Sequence, residues 1–193
     1  MSKADPASHK KERNKTIRWV LVIFIATIVI SGIISLVSEE IMAASGMAVA
    51  FVILLVIVLI GILFDIIGVA VTSADEKPFN AMAARKVPGA RQAINLIHNA
   101  ERVSSICNDV IGDICGVVSG AAAATIAARV LQNFEFTWPR IVSLVMSAFV
   151  AGATVGGKAI GKTFAIQSST KIVHSVGKVL YFFQRKSPKH KKK

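Results

Sequence analysis

Only two cysteines, Cys107 and Cys115, occur in the 193 residues, too few for the disulfide framework that staples small secreted domains. They stand close to one helical face in a weakly polar stretch, where buried small side chains account for them better than a disulfide or a metal pair. There is no HExxH, no phosphate-binding glycine loop and no Ser-His-Asp order with plausible geometry. Gly156-Gly157-Lys158 alone is too short for a P-loop, so an enzyme is not expected. Acidic residues are scarce as well, with 11 Asp+Glu against 23 Lys+Arg and a formal charge of +12. Aromatic residues make up 7%, and none interleave with the basic C-terminal tail, which argues against nucleic acid as a partner. Above all, charge is missing from long blocks of the chain. That distribution excludes a disordered chain, a coiled coil and a single water-soluble domain.

Apolar residues fill those blocks. Residues 19–37 (WVLVIFIATIVISGIISLV) hold no ionisable group, and such a run crosses a hydrocarbon core of about 30 Å as a helix. Residues 47–64 repeat the pattern after the short link SEEIMAASG, so the two form a helical hairpin. Residues 141–157 are a further uncharged block rich in Gly, Ala and Ser, with Trp138 as interfacial anchor and Pro139 at the helix start. Residues 103–128 carry Asn108, Asp109 and Asp113, yet can span if their polar side faces protein. Gly112, Gly116 and Gly120 recur every four residues, a stripe along which another helix can approach. The fold class expected is an all-α integral membrane protein with four transmembrane helices and juxtamembrane amphipathic helices.

Lys and Arg concentrate before the first span, between the second and third, and after the fourth, whereas the other two links hold only Arg129 and Arg140. This bias places both termini in the cytoplasm of a multi-pass protein of the cell membrane. A cleaved signal peptide is disfavoured because the first apolar run exceeds the usual 7 to 15 residues of a signal core. Within PFNAMAARKVPGARQAINLIHNAER (78–102), Pro88-Gly89 separates two short amphipathic helices, and 166–183 reads as another lying on the membrane surface. His98 has no His or Cys partner at metal-ligand spacing and is assigned no function. The tail RKSPKHKKK suits anionic lipid headgroups, about 1 kcal/mol per charge near the leaflet. The organisation is a basic N-terminal segment 1–18, a transmembrane hairpin 19–64, a membrane domain with surface helices 65–183, and a basic tail 184–193.

Three stretches carry a family resemblance. FDIIGVAVTSAD (64–75) looks like a Phe-Ser-Gly-Ser-Glu-Thr-Ala run at an inner helix end, with Phe64, Ala70 and Ser73 matching. ARQAINLIHNAERVSSICNDVIGDI (90–114) is similar to an amphipathic helix, an Arg-containing turn and a Ser-containing helix leading to a Gly-Asn pair. Arg102 and Ser105 fit there, and Gly112-Asp113 reaches the pair with a shift of about two residues. VGGKAIGKTFAIQSSTKIVHSVGKVLYFF (155–183) keeps the rhythm Gly-Glu-x-x-Pro-Lys-x-x-Ala, with Gly157, Lys162 and Ala165 matching. Together they resemble the transmembrane domain of the cyclin M (CNNM) proteins and bacterial CorB/CorC, extended by one helix in front and lacking the family's cytosolic CBS pair.

The resemblance implies Mg2+ or Co2+ transport or homeostasis, with Mg2+ held by oxygen ligands from the three motifs. Carried onto this chain, the metal residues become Asp65, Ser105, Asp109 and Asp113. Lys158 stands where the family has Glu, Asp65 and Ile67 where it has Ser, and Gly161 where it has Pro. An ammonium among the ligands would repel a cation, by about 4 kcal/mol for unit charges about 4 Å apart at an effective dielectric of about 20. Lys158 paired with Asp113 or Asp65 would then substitute for the cation in a non-transporting interaction or regulatory subunit. For Asp65 and Lys158 a plain position at the inner water boundary is an equal expectation. For Asp109 and Asp113 an inward polar face is expected. The glycine-rich faces suggest association with a second copy or another membrane protein.

Overall fold

The computed structural model describes residues 6–133 and 138–186; residues 1–5 of the basic N-terminal segment and the tail beyond 186 lie outside them. The helices are α1 (Pro6–Ala44), α2 (Met47–Ser73), α3 (Lys77–Ala84), α4 (Ala90–His98) and α5 (Ala100–Ser104). A π-helical segment, Ser105–Gly112, leads into α6 (Asp113–Asn133), and α7 (Pro139–Gln167) and α8 (Ser169–Lys186) complete the order. Among the described residues four stretches are long and apolar enough to cross a membrane: Ile17–Met42, Met47–Ser73, Ala100–Asn133 and Pro139–Gln167. The chain is an all-α, multi-pass integral membrane protein.

Local sequence sets the breaks. Ser45-Gly46 separates α1 from α2, with Gly46 extended at ψ 162°. Pro139 opens α7 directly after Trp138, because its missing N–H falls where a helix has no partner for it. Between α3 and α4 the chain reverses through two left-handed residues, Lys86 at φ 56° and Gly89 at φ 86°. The strictest demand falls on Gly89, since a Cβ there would lie 2.6 Å from the Lys178 backbone nitrogen.

α2 is the central element. It packs against α6, α7, the π-helical segment, α5 and α8, whereas α1 lies mainly along α6 and only secondarily on α2. The hairpin expected of the first two spans is therefore a chain connection more than a packing unit. Three apolar clusters hold the bundle along its length. Met42, Ala50, Leu54, Ala122, Ala123 and Ile126 join the α1–α2 turn to the far part of α6. Val110, Ile114 and Val118 meet Ile23 and Ile57 midway. Ala70, Val71, Phe79, Ala93, Ala165 and Val173 weld α2, α3, α4, α7 and α8 at the other end. Lipid tails are as apolar as Leu, so close packing of small residues, not burial of large ones, must supply much of the cohesion.

Of the stripe glycines only Gly112 is closely faced, by Lys158 Nζ and Asp65 Oδ1, and most of the glycines that permit close packing lie elsewhere. Gly116 and Gly120 have nothing within 4 Å of where a Cβ would be. Instead Gly61 takes the Cys115 side chain, Gly68 takes Asn108, and Gly157 and Gly161 of α7 receive Ile62 and Ile66 of α2. The three surface helices expected from sequence are all present, and they dock on one another: α4 packs on α8, with Ala93 and Val173 buried between them.

Candidate functional site

Chemistry concentrates where α2 crosses the π-helical segment. The antiparallel register sets Gly61 against Cys115, Asp65 near Gly112, and Gly68 against Asn108. A π-helix is wider than an α-helix and offsets its carbonyls, which is why such segments recur at functional positions. Here the widened turn begins at Ser105 and ends at Gly112, so it holds Ser105, Asn108 and Asp109 of the third span. The sequence pattern anticipated a single helix over 103–128. The difference arises at Gly68: with no Cβ on α2, Asn108 seats its amide directly on that backbone, and the third span widens around the contact.

Asp65 is 4% exposed. Its Oδ2 has no hydrogen-bond partner, and neither does Asn108 Oδ1; both atoms are buried. Asn108 Nδ2 donates to Ser104 Oγ at 3.2 Å, which fixes the amide so that its oxygen remains the unused end. The water-boundary expectation for Asp65 is thus not met: the carboxyl is inside the bundle, because it faces the π-helical segment and not lipid. A buried acceptor left unpaired is costly, on the order of 1–3 kcal/mol and more if charged.

Lys158 reaches this crossing from α7. Its Nζ donates to Gly112 O at 3.2 Å and lies 3.9 Å from Asp113 Oδ1. A Cβ on Gly112 would be 3.5 Å from Lys158 Nζ and 3.9 Å from Asp65 Oδ1, so the ammonium and the buried carboxyl flank the same glycine. The Lys158–Asp113 contact is the weaker part, since the Asp113 side chain is 72% exposed while that of Lys158 is only 20% exposed.

The other expected ligands are elsewhere. Ser105 and Asp109 line a groove against α1 formed by Trp19, Val20, Ile23, Phe24 and Thr27, and Asp109 is exposed. The inward polar face expected of Asp109 and Asp113 is therefore not formed. A residue added to one turn rotates the rest of the helix by about 100° relative to an unbroken one, which swings these carboxylates off the α2-facing side. Among the described residues no three His, Cys, Asp or Glu side chains gather as a metal cluster. Of the expected set Asp65, Ser105, Asp109 and Asp113, the structure brings only Asp65 and Asp113 into the neighbourhood of Lys158. Asn108 was missed, because its signal is the facing Gly68, visible only once the register of the two helices is known. Both cysteines are free, with Cys107 buried and Cys115 half-buried.

Beside the Lys158 ammonium and the Cys115 thiol, the crossing offers two oxygen donors, the Asp65 carboxylate and the Asn108 amide oxygen. Such donors suit a hard cation, and Mg2+ needs just one or two carboxylates because it keeps part of its water shell. Compared with family models, curated proteins and solved structures, the chain has no match.

Proposed function

We propose that this protein handles divalent cations in the cell membrane, in transport or homeostasis of Mg2+ or Co2+, with both termini in the cytoplasm. The observation that carries this reading is the pair of buried, unpartnered oxygens, Asp65 Oδ2 and Asn108 Oδ1, at the crossing of α2 with the π-helical segment. The CNNM and CorB/CorC resemblance likewise names Asp65 as a metal residue. Asp65 would supply the charge and Asn108 a neutral oxygen. Lys158 makes no ion pair with Asp65 but is held beside it, on Gly112 O at 3.2 Å and 3.9 Å from Asp113 Oδ1, so its ammonium opposes a cation at Asp65 electrostatically.

A second reading rests on one specific contact, the 3.2 Å hydrogen bond from Lys158 Nζ to Gly112 O. A lysine so held is a permanent internal cation, and the protein is then a non-transporting membrane subunit that keeps a bound-like helix arrangement. Mg2+ and Co2+ flux in reconstituted vesicles separates the two. Transport predicts flux above empty vesicles that falls at least tenfold in Asp65→Asn. Absence of flux from folded, correctly inserted wild-type protein leaves only the interaction role.

A further inference from the structure

A second concentration of positive charge lies outside that crossing, where the α3–α4 turn meets α8. The cavity there is about 510 Å³ and is lined by Lys86, Pro88, Gly89, Arg91, Gln92 and Tyr181, among others. Among the described residues no acidic side chain lines it. Residues 77–100 contain no Asp or Glu, and neither does anything after Glu135, so none of α3, α4 and α8 can offer a counter-ion. Among the described residues neither Lys86 nor Arg91 has a carboxylate within 4.0 Å. Two cations facing one cavity repel each other, and an anion that enters between them relieves that repulsion.

The cavity is also built rigidly. Gly89 and Gly177 touch backbone to backbone, Gln92 Nε2 donates to Gln184 Oε1 at 3.0 Å, and His174 Nε2 lies 3.3 Å from Pro88 O. Lys86 is held at φ 56°, a conformation unfavourable for any residue with a Cβ. Strained positions persist where the surrounding structure fixes them, and they cluster at ligand sites. Next to the cavity, α8 exposes Val179 and Phe183. These side chains mark a helix lying in the membrane interface, at the level of lipid headgroups.

We infer that this cavity binds a phosphate-bearing anionic group, that of an anionic phospholipid headgroup. Lys86 and Arg91 neutralise the phosphate, Arg91 with its planar fork of donors. The Tyr181 hydroxyl and Gln92 amide supply neutral hydrogen bonds. The site is independent of the cation reading, since it shares no residue with Asp65, Asn108 or Lys158.

Tyr181 is the chain's single tyrosine, so replacing it with 3-fluorotyrosine gives one fluorine resonance that reports on the cavity. The full chain in neutral detergent is titrated with short-chain phosphatidylglycerol, with phosphatidylcholine of equal chain length, and with inorganic phosphate. Saturable movement of the line is expected with phosphatidylglycerol, at least tenfold weaker with phosphatidylcholine. Lys86→Gln combined with Arg91→Gln should weaken the response at least tenfold. Lys86→Gly guards against misfolding, because glycine tolerates φ 56° better than lysine; it should still weaken binding severalfold. A response to inorganic phosphate as strong as that to the lipid upholds the phosphate site and assigns it a soluble source. Equal responses to the two lipids, or a Lys86→Gly protein that binds like wild type, overturn the inference.

Discussion

Gly89 and Gly152 differ in backbone conformation and in surroundings, and the difference is measurable. A methyl group on Gly89 meets backbone at Lys178 and must also accept a left-handed φ of 86°. Left-handed backbone costs about 1–2 kcal/mol for a residue with a Cβ, and overpacking adds about 1–3 kcal/mol. Gly89→Ala should therefore destabilise the protein by about 2–5 kcal/mol. Gly152 sits in α7 with nothing within 4 Å of its Cβ position, so Gly152→Ala should be neutral or stabilising by up to about 1 kcal/mol. Thermal unfolding of both variants in one detergent tests the contrast. Glu76 provides a pH handle at the same scale. A hydrogen bond from the Asn80 amide at 3.1 Å and the contact with His98 at 3.1 Å hold its carboxyl below its ordinary value of 4.5. Because the folded value is depressed, this contribution is complete above pH 4.5 and is lost as the pH falls through the lower folded value. The protection factors of the α3 amides, taken relative to intrinsic exchange at each pH, should fall on acidification through that window, and Glu76→Gln should remove the step.

The element that decides the site is the π-helical segment Ser105–Gly112. Its width depends on Asn108 seating over Gly68. A Cβ on Gly68 would collide with the Asn108 amide, so Gly68→Ala must expel that side chain and break its bond to Ser104. The expected outcome is a span that reverts toward plain α-helix and rotates Asp109 and Asp113. Introduced-cysteine accessibility at those two positions, compared between wild type and Gly68→Ala, checks it; an unchanged pattern would show that the widened turn has another cause. Three of the four spans were legible in the sequence as uncharged blocks of sufficient length, and the third from its length and its small residues despite two carboxylates. The amphipathic helices α3, α4 and α8 were legible from periodicity and from Pro88-Gly89. The widened turn was not, because it arises from a contact between Gly68 and Asn108 that single-helix patterning does not contain. For the same reason Asp65 and Lys158 were recognisable as notable charges, while their meeting at Gly112, and the outward turn of Asp109, required the packing of three helices.

At the scale of the whole molecule, two features share one end of the bundle: the oxygen-lined crossing beneath the ends of α2 and α7, and the cationic cavity among α3, α4 and α8. The opposite end is closed more simply, with Arg129 Nη1 donating to Ser45 O at 3.2 Å across the α1–α2 turn. This asymmetry explains why a substitution at the far end should leave cation response intact while one at Asp65 removes it. The most direct measurement is the melting temperature of the purified protein as Mg2+ is raised, for wild type, Asp65→Asn and Lys158→Met. A ligand that binds only the folded state raises stability with its concentration. A saturable rise is predicted in wild type, none in Asp65→Asn, and a rise at lower Mg2+ in Lys158→Met, where the repelling ammonium is gone. A wild-type melting temperature indifferent to Mg2+, or a rise undiminished in Asp65→Asn, would contradict it.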